Sequence, residues 1–495
     1  MKNIIIIGAG PAGLTTAYEI LKNDNNKNFK VIILEKNDKS GGISRTENYK
    51  DNYIDIGGHR FFTKDEEIMN LWKQIMPVET DQNYNTEDLF LIRNRISRIY
   101  YNNTFFNYPL SFSFDTLKKM GFLNTFKCGI SYLKTFITKK EENNLENFYI
   151  NKFGKKLYSI FFKDYTTKVW GKTPDNISSD WGAQRVKGVS IKELIINYFS
   201  KNKSKETSLI ETFYYPKFGP GQFYEKMAKD IQKMGGKIIY NCNITKIKVS
   251  DNSIKNLTYI DNKVKNNINV DFLVSSMSIK DLVNAFSSVP KNIKLYSNNL
   301  SYRDFITVGV LVDKLLINDL KTNNLISDTW IYIQDNSVKL GRVQIFNNWS
   351  PYMVKDKNKV WLGLEYFCSE NDDFWNMNDD DIKDYAIKEL EKIKFIDIKD
   401  VKDSVVIRNL KAYPAYFDGY NNINKIKNYL FKLNNLYCVG RNGQHRYNNM
   451  DHSMKTGLIC ARQILNNIKN NEELWNVNTE KEYHEVKYEK NNWFF

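Results

Sequence analysis

The chain has 495 residues, 42% of them hydrophobic and 26% charged, with a formal net charge of +15. Those proportions exclude wholesale disorder and predict a globular protein of two or three domains or subdomains. The positive balance favours anionic partners, but no Lys/Arg-dense block of the kind that arms a nucleic-acid binder is visible, so no nucleic-acid partner is expected.

The cysteines are Cys128, Cys242, Cys368, Cys438 and Cys460. Their number is odd and no pair has metal or redox spacing, which predicts a reducing compartment and no metal. The first apolar run is too short for a signal-peptide core, and no run approaches the ~20 apolar residues that span a bilayer. A cytoplasmic protein without stable membrane insertion is expected.

In chain order, "NIIIIGAGPAGLTTAYEILK" reads as a buried strand, a glycine turn and a helix. A second apolar run, "VIILE", ends at Glu35. This is the strand–turn–helix–strand–acid order of a dinucleotide-binding unit. Gly8 permits the tight turn, Gly10 lets a pyrophosphate approach the backbone at the helix N-terminus, and Gly13 lets helix and strand pack closely. Gly8, Gly10, Ala12 and Gly13 are the expected contacts, and Glu35 would accept hydrogen bonds from a ribose diol.

"KNDKSGGISRT" follows, with Gly41, Gly42 and Arg45. A double glycine and an arginine soon after the ribose acid resemble the flavoproteins that include amine oxidases, protoporphyrinogen oxidase and UDP-galactopyranose mutase. The resemblance implies FAD, with this loop along the pyrophosphate and ribityl chain. "YIDIGGHRFFT" resembles the segment that passes the flavin ring there, which implicates Gly57, Gly58 and His59, the last as a catalytic candidate near the flavin.

"RISRIYYNNTFFNYPL" alternates like a hairpin with an Asn-Asn turn. The next ninety or so residues read as aromatic, basic amphipathic helices; a membrane-surface role is one reading, and a cap subdomain with its apolar face inward is the preferred one. A glycine turn, helix and strand return at 214–249. Several β-like runs lie between 300 and 370, "LYCVG" is a last core strand, and "SMKTGLICARQILNNI" is a closing helix. The fold class expected is therefore α/β: a discontinuous Rossmann-like FAD-binding domain (1–95, 206–290 and 426–470), an inserted, mostly helical cap (96–205), a β-sheet substrate domain (291–425) and a surface tail (471–495).

Within that frame the chain resembles the UDP-galactopyranose mutase family. The resemblance is carried by "RISRIYYNNTFFNYPL", "YTTKVWGKTPDNISSDWGAQRV", "WIYIQD" with "GRVQIFNNWSPY", "AYPAY" and "GRNGQHRYNNMDHS". It implies an isomerase that interconverts pyranose and furanose forms of a UDP-sugar by attack of reduced flavin N5 on the anomeric carbon. The protein then has to hold a departing diphosphate and keep it close, a task for arginines and hydroxyl donors rather than a side-chain nucleophile. By the same resemblance Arg185 and Arg342 are the diphosphate arginines, and Tyr413 and Tyr447 the diphosphate tyrosines. Tyr332 belongs nearby, Asn449 is a sugar or phosphate contact, and Tyr108 and Trp181 line the pocket. The present chain has "GGHRFF" where shorter bacterial members carry Pro-His, so the sugar is left open. The alternative is an FAD-dependent oxidoreductase of the amine oxidase type. Any NAD(P)H reductant would bind transiently, and an oligomer is compatible with the sequence.

The polar stretch "VGRNGQHRYNNMDHSM" then serves two ligands. Gly440, Arg441 and a helix start capped by Asp451 or Ser453 face FAD. Tyr447 and Asn449 face the substrate. The roles of His445 and His452 are left open by the sequence, with structural hydrogen bonding as the default reading.

Overall fold

A computed structural model describes residues 1–108, 114–179, 212–317 and 325–478. A five-stranded parallel sheet sits at its centre, in the order Leu436–Cys438, Phe272–Ser275, Lys2–Ile7, Phe29–Leu34, Lys237–Ile239. The runs Ile4–Ile7 and Val31–Leu34 are buried along their whole length, as a parallel sheet covered on both faces requires. The helices Pro11–Asn23, Pro220–Lys233 and Met450–Leu465 pack on it and share its core. Three widely separated parts of the chain thus build one nucleotide-binding unit.

A seven-stranded sheet forms the second layer, in the order Val401–Pro414, Tyr302–Val312, Val360–Cys368, Arg342–Ile345, Trp330–Ile333, Ser97–Tyr101, Thr104–Asn107. All neighbours are antiparallel except Trp330–Ile333 beside Ser97–Tyr101. The helix Asp379–Lys392 buries Ile382, Ala386 and Leu390 against it. The Asn102–Asn103 turn of the outer hairpin has φ of 49° and 55°, the left-handed pair that a two-residue hairpin loop needs. The sequence division placed this hairpin in the helical cap; its backbone pairs into the seven-stranded sheet instead.

The cap comprises, among the described residues, the helices Phe114–Met120, Phe122–Ile137, Leu145–Phe153, Lys155–Phe161 and Lys163–Trp170. The last three bury Leu145, Tyr149, Phe153, Tyr158, Phe161 and Trp170 in one core with the sheet, so their apolar faces point inward as expected. The helix Phe122–Ile137 does the opposite and turns its apolar face outward. Its covered side carries Tyr132 with the smaller Thr125, Cys128 and Ser131, while Phe122, Leu123, Phe126, Leu133, Phe136 and Ile137 fall on the other face. The start of the expected surface tail also behaves differently: Leu474 and Trp475 are buried against the nucleotide-binding core. All five cysteines are buried and free.

Candidate functional site

The first strand ends at Ile7, and Gly8 turns the chain with φ of +100°. A Cβ on Gly13 would lie 2.0 Å from the Gly8 carbonyl oxygen, so the helix can seat on the turn only without a side chain there. Gly10 is the N-cap of the helix and supplies no side-chain acceptor, which leaves the helix's first N–H groups available to a ligand. Opposite it stands Gly42, with φ of +56°; a Cβ there would come 3.3 Å from the Gly10 Cα. The two backbones form the walls of a narrow cradle.

Glu35 closes the second strand and is 5% exposed. One carboxylate oxygen accepts from the Ala9 N–H at 2.6 Å, and the other accepts from the N–H and side-chain amide of Asn37 at 2.8 and 2.9 Å. A carboxylate has about four acceptor sites, so three bonds leave room for a ribose hydroxyl. Arg45 is clasped by Glu47 at 2.7 Å, the Gly42 carbonyl at 3.0 Å and the Asn409 side-chain oxygen at 3.2 Å.

These groups open on a cavity of about 770 Å³. Its walls include Gly8, Gly10, Ala12, Glu35, Gly42, Arg45, His59, Gly440, Arg441, Asn449 and Ser453. Gly13, Gly41, Gly57, Gly58 and Asp451 belong to the expected cofactor set but do not line it. Gly13 serves helix packing, and Gly41 takes a left-handed φ of +103° that feeds Gly42 into place. Gly57 gives its carbonyl to His59, and a Cβ on Gly58 would meet the Trp330 ring at 2.9 Å. The cap of the last helix is Asn449, not Asp451 or Ser453. Asn449 and His452 form a reciprocal capping box, with His452 Nδ1 accepting from the Asn449 N–H at 3.3 Å. Asp451 accepts from the His452 N–H at 2.8 Å instead.

Three wall residues were not singled out from sequence. Asn409 Nδ2, Asn442 Oδ1 and Asn448 Nδ2 are buried without a hydrogen-bond partner, and all three residues line the cavity. Buried orphan amides are costly, and the polar edge of a flavin ring is the kind of group that satisfies them. Asn448 lay within reach of the sequence, inside the polar "RYNN". Asn409 had no local signal: it sits in a long strand and is placed by pairing with Phe305.

Of the expected substrate residues, Tyr332, Arg342 and Tyr413 lie on the second sheet, Tyr108 follows its outermost strand, and Tyr447 precedes the last helix beside Asn449 on the cavity wall. Tyr332, Arg342 and Glu365 are directly opposed across three neighbouring strands and therefore share one face. The Arg342 Nε lies 2.7 Å from a Glu365 oxygen, and its Nη2 donates to the Tyr413 hydroxyl at 3.3 Å. Burial works against the Arg342 charge, but the Glu365 carboxylate beside it prevails and holds its pKa well above the ordinary value. Its guanidinium also covers the rings of Phe367 and Trp330, at 4.5 and 4.9 Å. Tyr413 stacks on Tyr447 with centroids 6.1 Å apart and planes 6° from parallel, and Tyr108 stacks on Tyr332 at 4.4 Å. Tyr165, which sequence reading passed over, meets Tyr332 edge-on at 5.7 Å.

Arg441 and His59 join the two halves. Arg441 is held by the carbonyls of Asn448 and Ala412 at 2.9 and 3.0 Å, and lies over the Tyr447 and Tyr413 rings at 4.8 and 5.4 Å. His59 Nδ1 is 3.0 Å from the Gly57 carbonyl. Burial first, then the charges of Arg441 and Arg342, push its pKa down to about 3, so the ring is neutral. Trp181 and Arg185 lie outside the described residues. His445 Nε2 is 3.0 Å from the Ala415 carbonyl, and with His452 in the capping box both late histidines make structural hydrogen bonds.

A family match to flavin containing amine oxidoreductases covers residues 11–465. The chain belongs to that family. The protein is accordingly an FAD-dependent flavoenzyme, and the cavity described above fits the cofactor in its glycine cradle, ribose acid and orphan amides. It is 26% identical over 282 residues to a 1-hydroxycarotenoid 3,4-desaturase from Flavobacterium sp. (strain P99-3), spanning 52% of this chain and 54% of that protein. It is also 26% identical over 190 residues to a probable UDP-galactopyranose mutase from Klebsiella pneumoniae, spanning 36% of this chain and 43% of that one. The matched stretches thus cover about half the length of these relatives. Among solved structures, reduced UDP-galactopyranose mutase superposes with a TM-score of 0.80 at 21% identity over 98% of this chain and 100% of that one. Putrescine oxidase superposes with a TM-score of 0.61 at 13% identity, over 94% and 99%. These likenesses establish the fold. Among the described residues no helix is long and apolar enough to cross a membrane.

Proposed function

We propose that the protein is a nucleotide-sugar mutase, interconverting the pyranose and furanose forms of a UDP-linked sugar. The observation that carries the reading is the convergence of Arg342, Tyr413, Tyr447 and Arg441 around His59, where the cofactor cavity meets the second sheet. That is a site for a diphosphate. Glu365 holds the Nε edge of Arg342 and leaves its Nη edge toward Tyr413, so the guanidinium is aimed before substrate arrives. Tyr413 adds a hydroxyl donor. Arg441, fixed by two backbone carbonyls, adds a second cation close to the flavin wall.

A flavin held by the Gly8–Gly10 cradle, Gly42 and Glu35 would, when reduced, supply the electron pair for displacement of the diphosphate, and the protein is left with binding and charge stabilisation. Neutral His59 donates its Nδ1–H to the Gly57 carbonyl, which leaves Nε2 as a hydrogen-bond acceptor and brings no positive charge to the junction. Arg185 and Trp181, outside the described residues, are proposed as further diphosphate and sugar contacts on the family resemblance alone. A redox role is the second reading; the match to the 1-hydroxycarotenoid 3,4-desaturase supports it.

The deciding experiment incubates the holoprotein with UDP-galactopyranose and a panel of nucleotide sugars, with and without dithionite or NADPH, and resolves the products by chromatography. Furanose product that forms only when the flavin is reduced supports the mutase. Substrate-dependent bleaching of the oxidised flavin, with peroxide released in air, overturns it in favour of an oxidase.

A further inference from the structure

The cap helix Phe122–Ile137 presents its large apolar side chains to solvent. Phe122, Phe126, Leu133, Phe136 and Ile137 are 83%, 60%, 64%, 66% and 86% exposed. At about 100° per residue they fall within one broad stripe. Cys128, on the far side of the helix, is buried in the cap core. A stripe of this kind on a folded surface marks a contact face.

Charge identifies what the face meets. Between Asp115 and Glu141 the chain carries Lys118, Lys119, Lys127, Lys134, Lys139 and Lys140 and no acidic residue. All six lysines are exposed, and Lys127 and Lys134 run along one border of the apolar stripe. Phenylalanine and leucine on one face with lysine at its edge is the composition of a helix that lies in the plane of a bilayer interface. A second copy of the chain is a poorer occupant. In a two-fold contact the patch meets itself, and lysines would face lysines with no acid in the stretch to answer them. An anionic headgroup layer supplies the missing charge.

We propose that the Phe122–Ile137 helix seats the protein on anionic lipid, with Phe122, Phe126, Leu133 and Phe136 entering the boundary between headgroups and acyl chains. The attachment is peripheral and reversible. It is independent of what the flavin site does, since Cys128 and the rest of the cap core separate the stripe from Tyr332 and Tyr413.

The test is co-sedimentation of the full-length FAD-loaded protein with vesicles of phosphatidylcholine containing about one third phosphatidylglycerol. Phosphatidylcholine vesicles are the neutral control. Binding to the anionic vesicles is expected, weakening as salt is raised. Phe126→Glu with Leu133→Glu should lower the vesicle partition about tenfold or more. Lys127→Glu with Lys134→Glu should lower it severalfold and flatten the salt dependence. Both variants should keep their flavin absorbance and melting temperature, because these side chains are exposed. Failure to bind the anionic vesicles, or equal binding to neutral ones, would overturn the proposal. So would a stable dimer, seen by sedimentation equilibrium, that Phe126→Glu dissolves while vesicle binding is absent.

Discussion

The two halves of the site are made of different material. The cofactor half rests on backbone, with glycines and a helix end at the ends of parallel strands, to which Glu35 and three buried asparagines add side chains. The proposed substrate half is built from side chains: Arg342, Tyr413 and Tyr332 on a sheet whose strands lie far apart in the chain, with Tyr447 and Tyr108 stacked on the two tyrosines. Backbone geometry tolerates little, because a glycine has no smaller replacement. Side-chain geometry can be trimmed one group at a time. The cofactor half should therefore fail as a whole, and the substrate half by degrees.

The largest effect tests the first part. Gly13→Ala puts a methyl 2.0 Å from the Gly8 carbonyl and should cost about 3 kcal/mol or more. The expected outcome is protein that purifies without visible flavin absorbance and melts well below the parent. A flavin-loaded Gly13→Ala protein would show that the cradle is softer than its geometry implies.

Arg342→Ala probes the other half. It strands Glu365, 0% exposed, without its cation, and should destabilise the fold by about 3 kcal/mol. Turnover of the nucleotide sugar should fall about 10²–10³-fold in kcat/KM while flavin content stays near parent. Steady-state kinetics beside a flavin titration separates the two; if the variant releases its flavin, the halves are not independent.

His445 supports the side-chain half from behind, bonded to the Ala415 carbonyl next to the strand that carries Tyr413. Burial pushes its pKa down to about 4. The folded state therefore resists protonation that the unfolded chain accepts. His445 contributes fully above its ordinary pKa of roughly 6.5, and that contribution is lost as pH falls toward 4, on the order of 3 kcal/mol in all. Urea midpoints measured across this range should fall more steeply for the parent than for His445→Gln.

The smallest effect is Tyr413→Phe, which keeps the stack on Tyr447 and removes only the 3.3 Å bond from Arg342. About a tenfold loss in kcat/KM is expected, without change in melting temperature. A loss as large as that of Arg342→Ala would make the hydroxyl, rather than the guanidinium, the principal diphosphate contact.

The same division explains what the sequence revealed. Gly8, Gly10 and Glu35 act through local spacing, so a strand–turn–helix–strand pattern was enough to single them out, and alternation around Asn102–Asn103 marked the hairpin; Gly42 was reached by family resemblance. Arg342 and Tyr413 were reached by family resemblance; nothing local to Arg342 says that Glu365 will oppose it. Asn409 was missed because strand pairing places it. The cap of the last helix was misread because Asn, Asp and Ser are all good caps and lie within five residues of one another at 449–453. The outward face of Phe122–Ile137 escaped because amphipathicity shows that a helix has two faces, not which one the fold covers.

The central sheet has one more consequence. Its outermost strand on one side, Leu436–Cys438, pairs with Phe272–Ser275, which pairs in turn with the first strand of the chain. During synthesis the glycine turn at Gly8 emerges long before Gly440 and Asn449 on the far wall. The nascent chain therefore holds half of a flavin site, with the edge of Phe272–Ser275 unpaired, until Leu436–Cys438 and the helix after it have left the ribosome. Cofactor capture is a closing step of folding, and cellular yield should follow the supply of flavin to finished chains rather than to growing ones.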